Sequence, residues 1–426
     1  MKPLLLDISR LVSRVGRGPL TGIDRVELAY LKRFLTRPEE VWFLCRMPRS
    51  HALLDREGGQ ILFNEINADK WHSSSILERL ILPRMAAETR TVMARVWRLA
   101  TWRCRDSRLR PCLSRLFPRG VRYFNVGHSN LRAAVLRAVK VVENSEINVL
   151  IHDIIPISYP EFSRLEVTGR FQTALRLVSE LADRVIYISA ETRAQAEAVF
   201  ADFGRAPPGL VCHLGVDRPS RSAQIYEKPA EKPNFVIIGT IEPRKNHALL
   251  LSLWQEFKQS LPFGQVPHLH VIGRRGWGNE SVFNILDSGD KVMEHVTEHN
   301  GLSDSEMQVR LGQSWGLLSP SFTEGFGLPP VEAAHAGVPV ICSDIPVYHE
   351  ILGDYPAYLN QYNNLEWDRE IRARAMGPRE TVAERQKRAD TIQLSSWDQH
   401  FDHMFRFTCQ RLSPTDPEYT RKGRRS

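Results

Sequence analysis

A chain of 426 residues is long for one hydrophobic core and predicts two domains. Its composition, 42% hydrophobic and 25% charged, is that of a globular protein, and six cysteines without a CxxC pair argue against a zinc site or a disulfide framework and fit a reducing cytosol. A formal net charge of +8 leaves nucleic acid, anionic lipid and phosphorylated ligands open as partners.

The opening MKPLLLDISRLVSRVGRG holds an apolar run too short, and too soon broken by Asp7, for a signal peptide or a membrane span, and no later stretch approaches one. Runs of strand character then recur at 4–12, 41–45, 122–128, 147–153, 184–189 and 210–216, and again at 234–240, 268–273, 316–321 and 338–344. They are apolar almost throughout rather than alternating, so they read as strands covered on both faces, in parallel sheets. Helical stripes lie between them: Ile23, Val26, Tyr30 and Phe34 form one, and Leu250, Leu253, Phe257 and Leu261 another. Strand alternating with helix predicts an α/β protein of doubly wound sheets, with ligands at the carboxyl ends of the strands. The polar, proline-bearing stretch 217–233 reads as a linker. This divides the chain into a first domain 1–217, a linker 218–233, a second domain 234–394, a closing helix 395–412 and a basic tail 413–426.

Between Arg84 and Arg122 lie eleven arginines against two acidic residues. Met85, Val92, Val96 and Leu99 make one helical stripe flanked by Arg84, Arg95 and Arg98, with Trp97 and Trp102 near. That is the make-up of an interfacial helix on an anionic membrane. The same stripe would equally pack on the protein's own core with its arginines solvated. Nucleic acid is disfavoured, since no base-reading fold or aromatic platform accompanies the charge.

Three stretches carry chemistry. In SFTEGFGLPPVEAAHAGVPVICSD (321–344) a buried strand runs into a glycine-rich loop and a short helix with prolines in its first turn and Gly337 at its end. Gly325 and Gly327 admit close backbone approach, the helix start faces an anion, and Glu324 and Glu332 offer carboxylates to sugar hydroxyls. A plain strand-to-helix turn would look similar. In VIIGTIEPRKNHALLL (236–251), Arg244 and Lys245 stand at a helix start, unfavourable against the dipole unless an anion such as a diphosphate lies between, although solvated surface cations are the simpler alternative. In VLIHDIIPISYPEFSR (149–164), His152 ends a buried strand at the edge that faces a cleft, unless it is only a structural histidine.

Taken in order, TGIDRV (21–26), IHDIIP (151–156), ADRVIYISAETR (182–193), HLGVD (213–217), GTIEPRKN (239–246), VIGRRGW (271–277) and the 319–344 stretch resemble glycosyltransferase family 4 over nearly the whole chain. That resemblance implies the GT-B fold, two Rossmann-like domains facing a cleft, and a retaining, metal-independent transfer that needs no cofactor beyond a nucleotide-diphosphate sugar as co-substrate. It implies catalytic roles for His152 and Glu324 beside the donor sugar and a ribose contact for Glu332. It implies backbone contacts from Gly325, Phe326, Gly327 and Leu328, a diphosphate contact for Lys245, and an approach to the phosphates from the Gly22 turn. Thr240 stands where many members carry arginine, and Arg244 is the residue placed to supply that charge.

The motifs leave the sugar open, with a hexose or deoxyhexose of mannose or rhamnose type favoured. The implied acceptor is a saccharide, lipid-linked if 84–122 meets a membrane, as in bacterial O-antigen, capsule or exopolysaccharide assembly in the cytoplasm or at the inner face of the plasma membrane. A GT-B epimerase or phosphorylase, or a non-catalytic adaptor, would share the fold.

Overall fold

A computed structural model describes residues 1–16, 18, 20–68, 87–216, 230–289 and 294–409. The first sheet comprises β1 (Leu4–Asp7), β2 (Val41–Met47), β3 (Ser50–Leu54), β4 (Trp102–Arg105), β5 (Arg122–Asn125), β6 (Glu146–Ile151), β7 (Arg184–Tyr187) and β8 (Gly209–Val211), in the order 4-3-2-1-5-6-7-8. The second comprises β9 (Asn234–Ile238), β10 (His268–Ile272), β11 (Val296–His299), β12 (Gly316–Ser319), β13 (Val340–Ser343) and β14 (Ala357–Leu359), in the order 11-10-9-12-13-14. The strand order reverses between β1 and β5, and between β9 and β12, and a doubly wound sheet opens its crevice at such a point.

The unbroken apolar runs form strands because both faces of each sheet are covered. Leu4, Leu6, Phe43, Phe124, Leu150 and Ile186 enter one core, while the alternate Leu5, Leu44, Tyr123, Val149 and Val185 enter another. Each such side chain contributes roughly 1.5–3 kcal/mol by leaving water. Most of the strands end before their apolar runs do, two of them by several residues. After Asp7 the chain turns into helix Ser9–Arg14, and of 210–216 only the start is paired.

The sheets are not wholly parallel, and this corrects the sequence reading. β3 pairs antiparallel with β2, and β4 antiparallel with β3, so the first sheet has an antiparallel edge. Arg103 and Arg105 point outward from β4, and charged side chains on an edge strand discourage further pairing.

The basic segment packs in part on the first domain. Helix Ala87–Leu99 buries Val92, Met93 and Val96 in the first domain's core, against helices Ser9–Arg14 and Arg56–Ala68. Arg95 is bound by both carboxylate oxygens of Glu65, with Nε–Oε1 2.9 Å and Nη2–Oε1 2.6 Å. Val92 and Val96 of the apolar stripe are therefore covered by the protein itself, the second of the two readings that the sequence leaves open. Arg84 and Met85 lie outside the described residues, as do 217–229 of the expected linker and the tail from 410 onward. Among the described residues no helix is long and apolar enough to cross a membrane.

Helix Trp397–Cys409 lies on the first sheet's side of the molecule, against helix Gly22–Leu35. Phe401 and Phe405 meet Tyr30 and Phe34 at ring-centroid distances of 4.9 and 5.7 Å, and the Tyr30 hydroxyl bonds His400 Nε2 at 2.8 Å.

Candidate active site

The second domain brings two loops together at the carboxyl ends of β9 and β12. After β9 the chain passes Gly239 and Thr240, makes the turn Pro243–Lys245, and enters helix His247–Ser260 through Asn246. After β12 it enters helix Leu328–His335 through Gly327, whose φ of 85° and whose packing on the Tyr348 ring, 2.5 Å from where a Cβ would stand, leave room for glycine only. Phe322 N–H donates to the Arg244 carbonyl at 2.8 Å, and Arg244 Nη1 donates to the Thr323 carbonyl at 3.1 Å.

That stitching sets Glu324 between two cations. Its Oε2 lies 2.6 Å from Arg244 Nη1 and its Oε1 2.5 Å from Lys245 Nζ, while Ser321 Oγ donates to Oε1 at 2.9 Å. Burial alone would raise the carboxyl, but the charges of Arg244 and Lys245 outweigh it and draw the pKa down to about 2. Arg244 Nε also pairs with Glu242 at 2.7 Å. The anion expected between these cations is, in this structure, the carboxylate of Glu324 itself. Thr240 supplies no charge, and its methyl group lies against Gly276.

The first domain approaches from across the crevice. His152 follows β6 and is buried, with Nε2 2.6 Å from the Val126 carbonyl, which can only accept, so the proton sits on Nε2 and Nδ1 keeps its lone pair. Burial, and then the neighbouring His128, hold its pKa well below the usual 6.5, so the ring is neutral. The backbones meet closely here: a Cβ on Gly325 would stand 2.1 Å from the His152 carbonyl oxygen, and Ser189 Oγ donates to the Gly325 carbonyl at 2.8 Å.

A second crossing lies at helix Leu328–His335. Glu332, 7% exposed, is 2.5 Å from Arg25 Nη1 of helix Gly22–Leu35. Burial raises the Glu332 carboxyl, and Arg25 only partly counters it. Gly22 begins that first-domain helix and faces Leu328, whose Cδ1 lies 3.1 Å from where a Gly22 Cβ would be. A third contact caps helix Ala190–Asp202 with a carboxylate of the second domain, Glu350, which accepts from Ala190 N–H at 2.6 Å and also meets His213 Nε2 at 2.7 Å.

The structure thus gathers Glu324, Arg244, Lys245, Gly325 and His152 in one place, and Gly22, Leu328 and Glu332 in another. The Phe326 side chain turns away into the core beside His213. Sequence reasoning missed Arg25, Asp153, Arg14 and Arg274. Arg25 and Arg274 stand within the quoted TGIDRV and VIGRRGW, and Asp153 directly follows His152. Burial raises the Asp153 carboxyl while Arg244 opposes the rise, which puts it in the same charged cluster. Arg14 bonds Asp24 through Nε at 3.4 Å, and its buried Nη2 has no hydrogen-bond partner. Desolvation and then Arg14 lower the pKa of Arg274, so guanidinium groups from the two domains oppose one another across the crevice. Among the described residues no group of three or more His, Cys, Asp or Glu is arranged to hold a metal ion.

Residues 220–369 match the sequence model of the family described as Glycosyl transferases group 1. The chain is 30% identical over 226 residues to the serotype-specific mannosyltransferase WbdA of Escherichia coli, a match that covers 50% of this chain and 27% of that protein. It is 25% identical over 250 residues to the O-antigen chain mannosyltransferase RfbU of Salmonella typhimurium, covering 58% of this chain and 65% of that one. The chain therefore spans about a quarter of WbdA's length. Among solved structures, Anabaena Alr3699/HepE in complex with UDP and glucose superposes with a TM-score of 0.63 at 14% identity, covering 96% of this chain and 100% of that one. The apo lipopolysaccharide outer core galactosyltransferase WaaB gives 0.56 at 16% identity, over 96% and 100%. At these identities the likeness is one of fold, and it is the GT-B arrangement of two α/β domains.

Proposed function

We propose that this chain, whose residues 220–369 match the glycosyl transferases group 1, moves a mannose-type hexose from a nucleoside-diphosphate donor to a lipid-linked saccharide during assembly of a bacterial surface polysaccharide, with retention at the transferred carbon. The observation that carries this reading is the Glu324 carboxylate held between Arg244 and Lys245 at the crevice edge of the second sheet. The mannosyltransferase names of WbdA and RfbU support the choice of sugar.

Cleaving the bond from the sugar's anomeric carbon to the phosphate oxygen leaves negative charge on the diphosphate and positive character on the ring, so stabilising the transition state is chiefly electrostatic. Lys245 and Arg244 supply cations from the second domain, and Arg14 supplies one from the first. A diphosphate that takes over Lys245 releases Glu324 to accept hydrogen bonds from sugar hydroxyls. Ribose hydroxyls compete with Arg25 for Glu332 in the same way. The Nδ1 lone pair of neutral His152 accepts from a further sugar hydroxyl.

A double displacement needs a nucleophilic carboxylate. Glu324 keeps its pairing with Arg244 when a diphosphate takes Lys245, which weakens it as a nucleophile, and Asp153 is buried, which raises its carboxyl. The acceptor hydroxyl therefore attacks from the face the diphosphate leaves, and its proton passes to the departing phosphate oxygen. Incubation with GDP-mannose and a mannose-terminated lipid-linked acceptor, with EDTA present, is expected to release GDP and lengthen the saccharide by one residue. Failure to consume any of the GDP-, UDP-, dTDP- or ADP-sugars would overturn the proposal, and an isolated glycosyl ester on Glu324 would overturn its mechanism.

A further inference from the structure

One aromatic array lies outside the machinery described so far. Tyr159 and Phe162 of the first domain and Phe322 and Tyr362 of the second form a continuous stair: Tyr159 to Phe162 at 6.4 Å, Phe162 to Phe322 at 5.3 Å with planes 11° apart, and Phe322 to Tyr362 at 5.3 Å with planes 37° apart. Nearly parallel rings with centroids 5.3 Å apart are offset, so each step leaves part of its face uncovered. Tyr362 at the outer end is 74% exposed.

A large exposed ring is usually mobile, but the backbone carrying this one is pinned. Tyr362 N–H donates to Asn360 Oδ1 at 2.9 Å, Trp367 Nε1 to the Asn360 carbonyl at 3.0 Å, and Asn246 Nδ2 to the Gln361 carbonyl at 3.1 Å. Fixing a loop so that it displays an apolar ring to water costs free energy and gains no core, which marks a surface prepared for a ligand. The loop follows β14 at the crevice edge of the second sheet, and Asn246 ties it to the residue after Lys245.

The stair also leads to the reacting groups. Tyr159, Phe322, Thr323 and Glu324 line a cleft of about 30 Å³, and its far wall is helix Ala190–Asp202 with Glu191 and Gln195, themselves joined at 2.6 Å. A space of that size takes a hydroxyl group or one or two waters, not a sugar ring. A pyranose presents an apolar C–H face and a polar rim, and a ring lying on the aromatic steps could direct one rim hydroxyl down the cleft towards Glu324.

We infer that this stair is the acceptor subsite, with Tyr362 and Phe322 seating a pyranose of the acceptor saccharide and Glu191 and Gln195 meeting its hydroxyls. The inference rests on the glycosyl-transfer reading and deepens it. The donor's base is placed elsewhere, because Arg274 follows β10, near one edge of the sheet, whereas Tyr362 follows β14 at the other edge.

Saturation-transfer NMR on the full chain, irradiating aromatic protons with α-mannotriose as probe, tests this directly, with Tyr362→Ala and Tyr362→Phe as variants. Because the ring is exposed, Tyr362→Ala should keep its thermal midpoint. Expected are transfer to the mannotriose ring protons in the unaltered protein, a loss of about fivefold or more in Tyr362→Ala, retention in Tyr362→Phe, and a GDP-mannose affinity unchanged within about twofold in both. A mannotriose signal indifferent to Tyr362→Ala would overturn the assignment. A parallel loss of GDP-mannose affinity would overturn it too, since it would show the ring stacking on the base. Absence of mannotriose binding while GDP-mannose is still consumed would sink this subsite alone, and absence of both would sink the transferase reading with it.

Discussion

Replacing Glu324 with glutamine isolates the charge that the site is built around. The carboxyl is buried, at 7% exposure, and its pKa falls from an ordinary 4.5 to about 2, which corresponds to about 3 kcal/mol of folded-state stabilisation. A depressed carboxylate pKa contributes stability that is fully present above about pH 4.5 and drains away as pH falls towards 2. Glutamine keeps the hydrogen bond from Ser321 Oγ but leaves Arg244 and Lys245 without their shared anion. Denaturant titrations of both proteins at several pH values should show the variant about 3 kcal/mol less stable at pH 7, with the gap roughly halved at pH 3. Acidic groups outside this cluster titrate alike in the two proteins and cancel in the difference, whereas Asp153, whose carboxyl the Glu324 charge helps to raise, does not. A gap that stays constant across that range, or widens as pH falls, would refute the electrostatic account of Glu324.

Lys245→Met should lower kcat/KM by about 10²–10³ with the circular dichroism unchanged, since it removes one cation from the leaving diphosphate. Arg14→Ala should weaken GDP about tenfold and GMP much less in calorimetric titration, as expected of a contact to the second phosphate. In Gly325→Ala, the added methyl would stand 2.1 Å from the His152 carbonyl oxygen, so scattering should show a larger radius of gyration, and turnover should drop by at least about tenfold.

Much of the fold was legible because burial on both faces leaves runs such as NVLI and FVII without alternation, and because helix Gly22–Leu35 carries its apolar stripe in plain sight. The strands that escaped notice are edge or near-edge strands. Ser50–Leu54 is short and follows β2 after a two-residue turn, Trp102–Arg105 alternates and is charged, Val296–His299 is polar for most of its length, and Ala357–Leu359 is three residues long. In the site, glycine placement and the spacing of Glu324 from Glu332 exposed the second domain's half. Of the first domain's half, His152 and Gly22 were legible, while Arg25 and Phe162 were hidden because Arg25 meets Glu332, and Phe162 meets Phe322, only through the tertiary fold. The stripe Val92–Val96 reads alike for a lipid surface and for a core. Its pattern states that it must be covered, and only the positions of helices Ser9–Arg14 and Arg56–Ala68 state by what.

The helix that closes the described chain returns to the domain in which the chain began, so the polypeptide passes between the two lobes twice, once before β9 and once before Trp397. A single tether lets two bodies tumble freely, whereas a pair of tethers suppresses twisting and sliding and leaves one soft mode, a swing about the line through the two attachment points. His400 and Phe405 therefore govern the direction in which the crevice opens, although neither touches a residue expected to meet substrate.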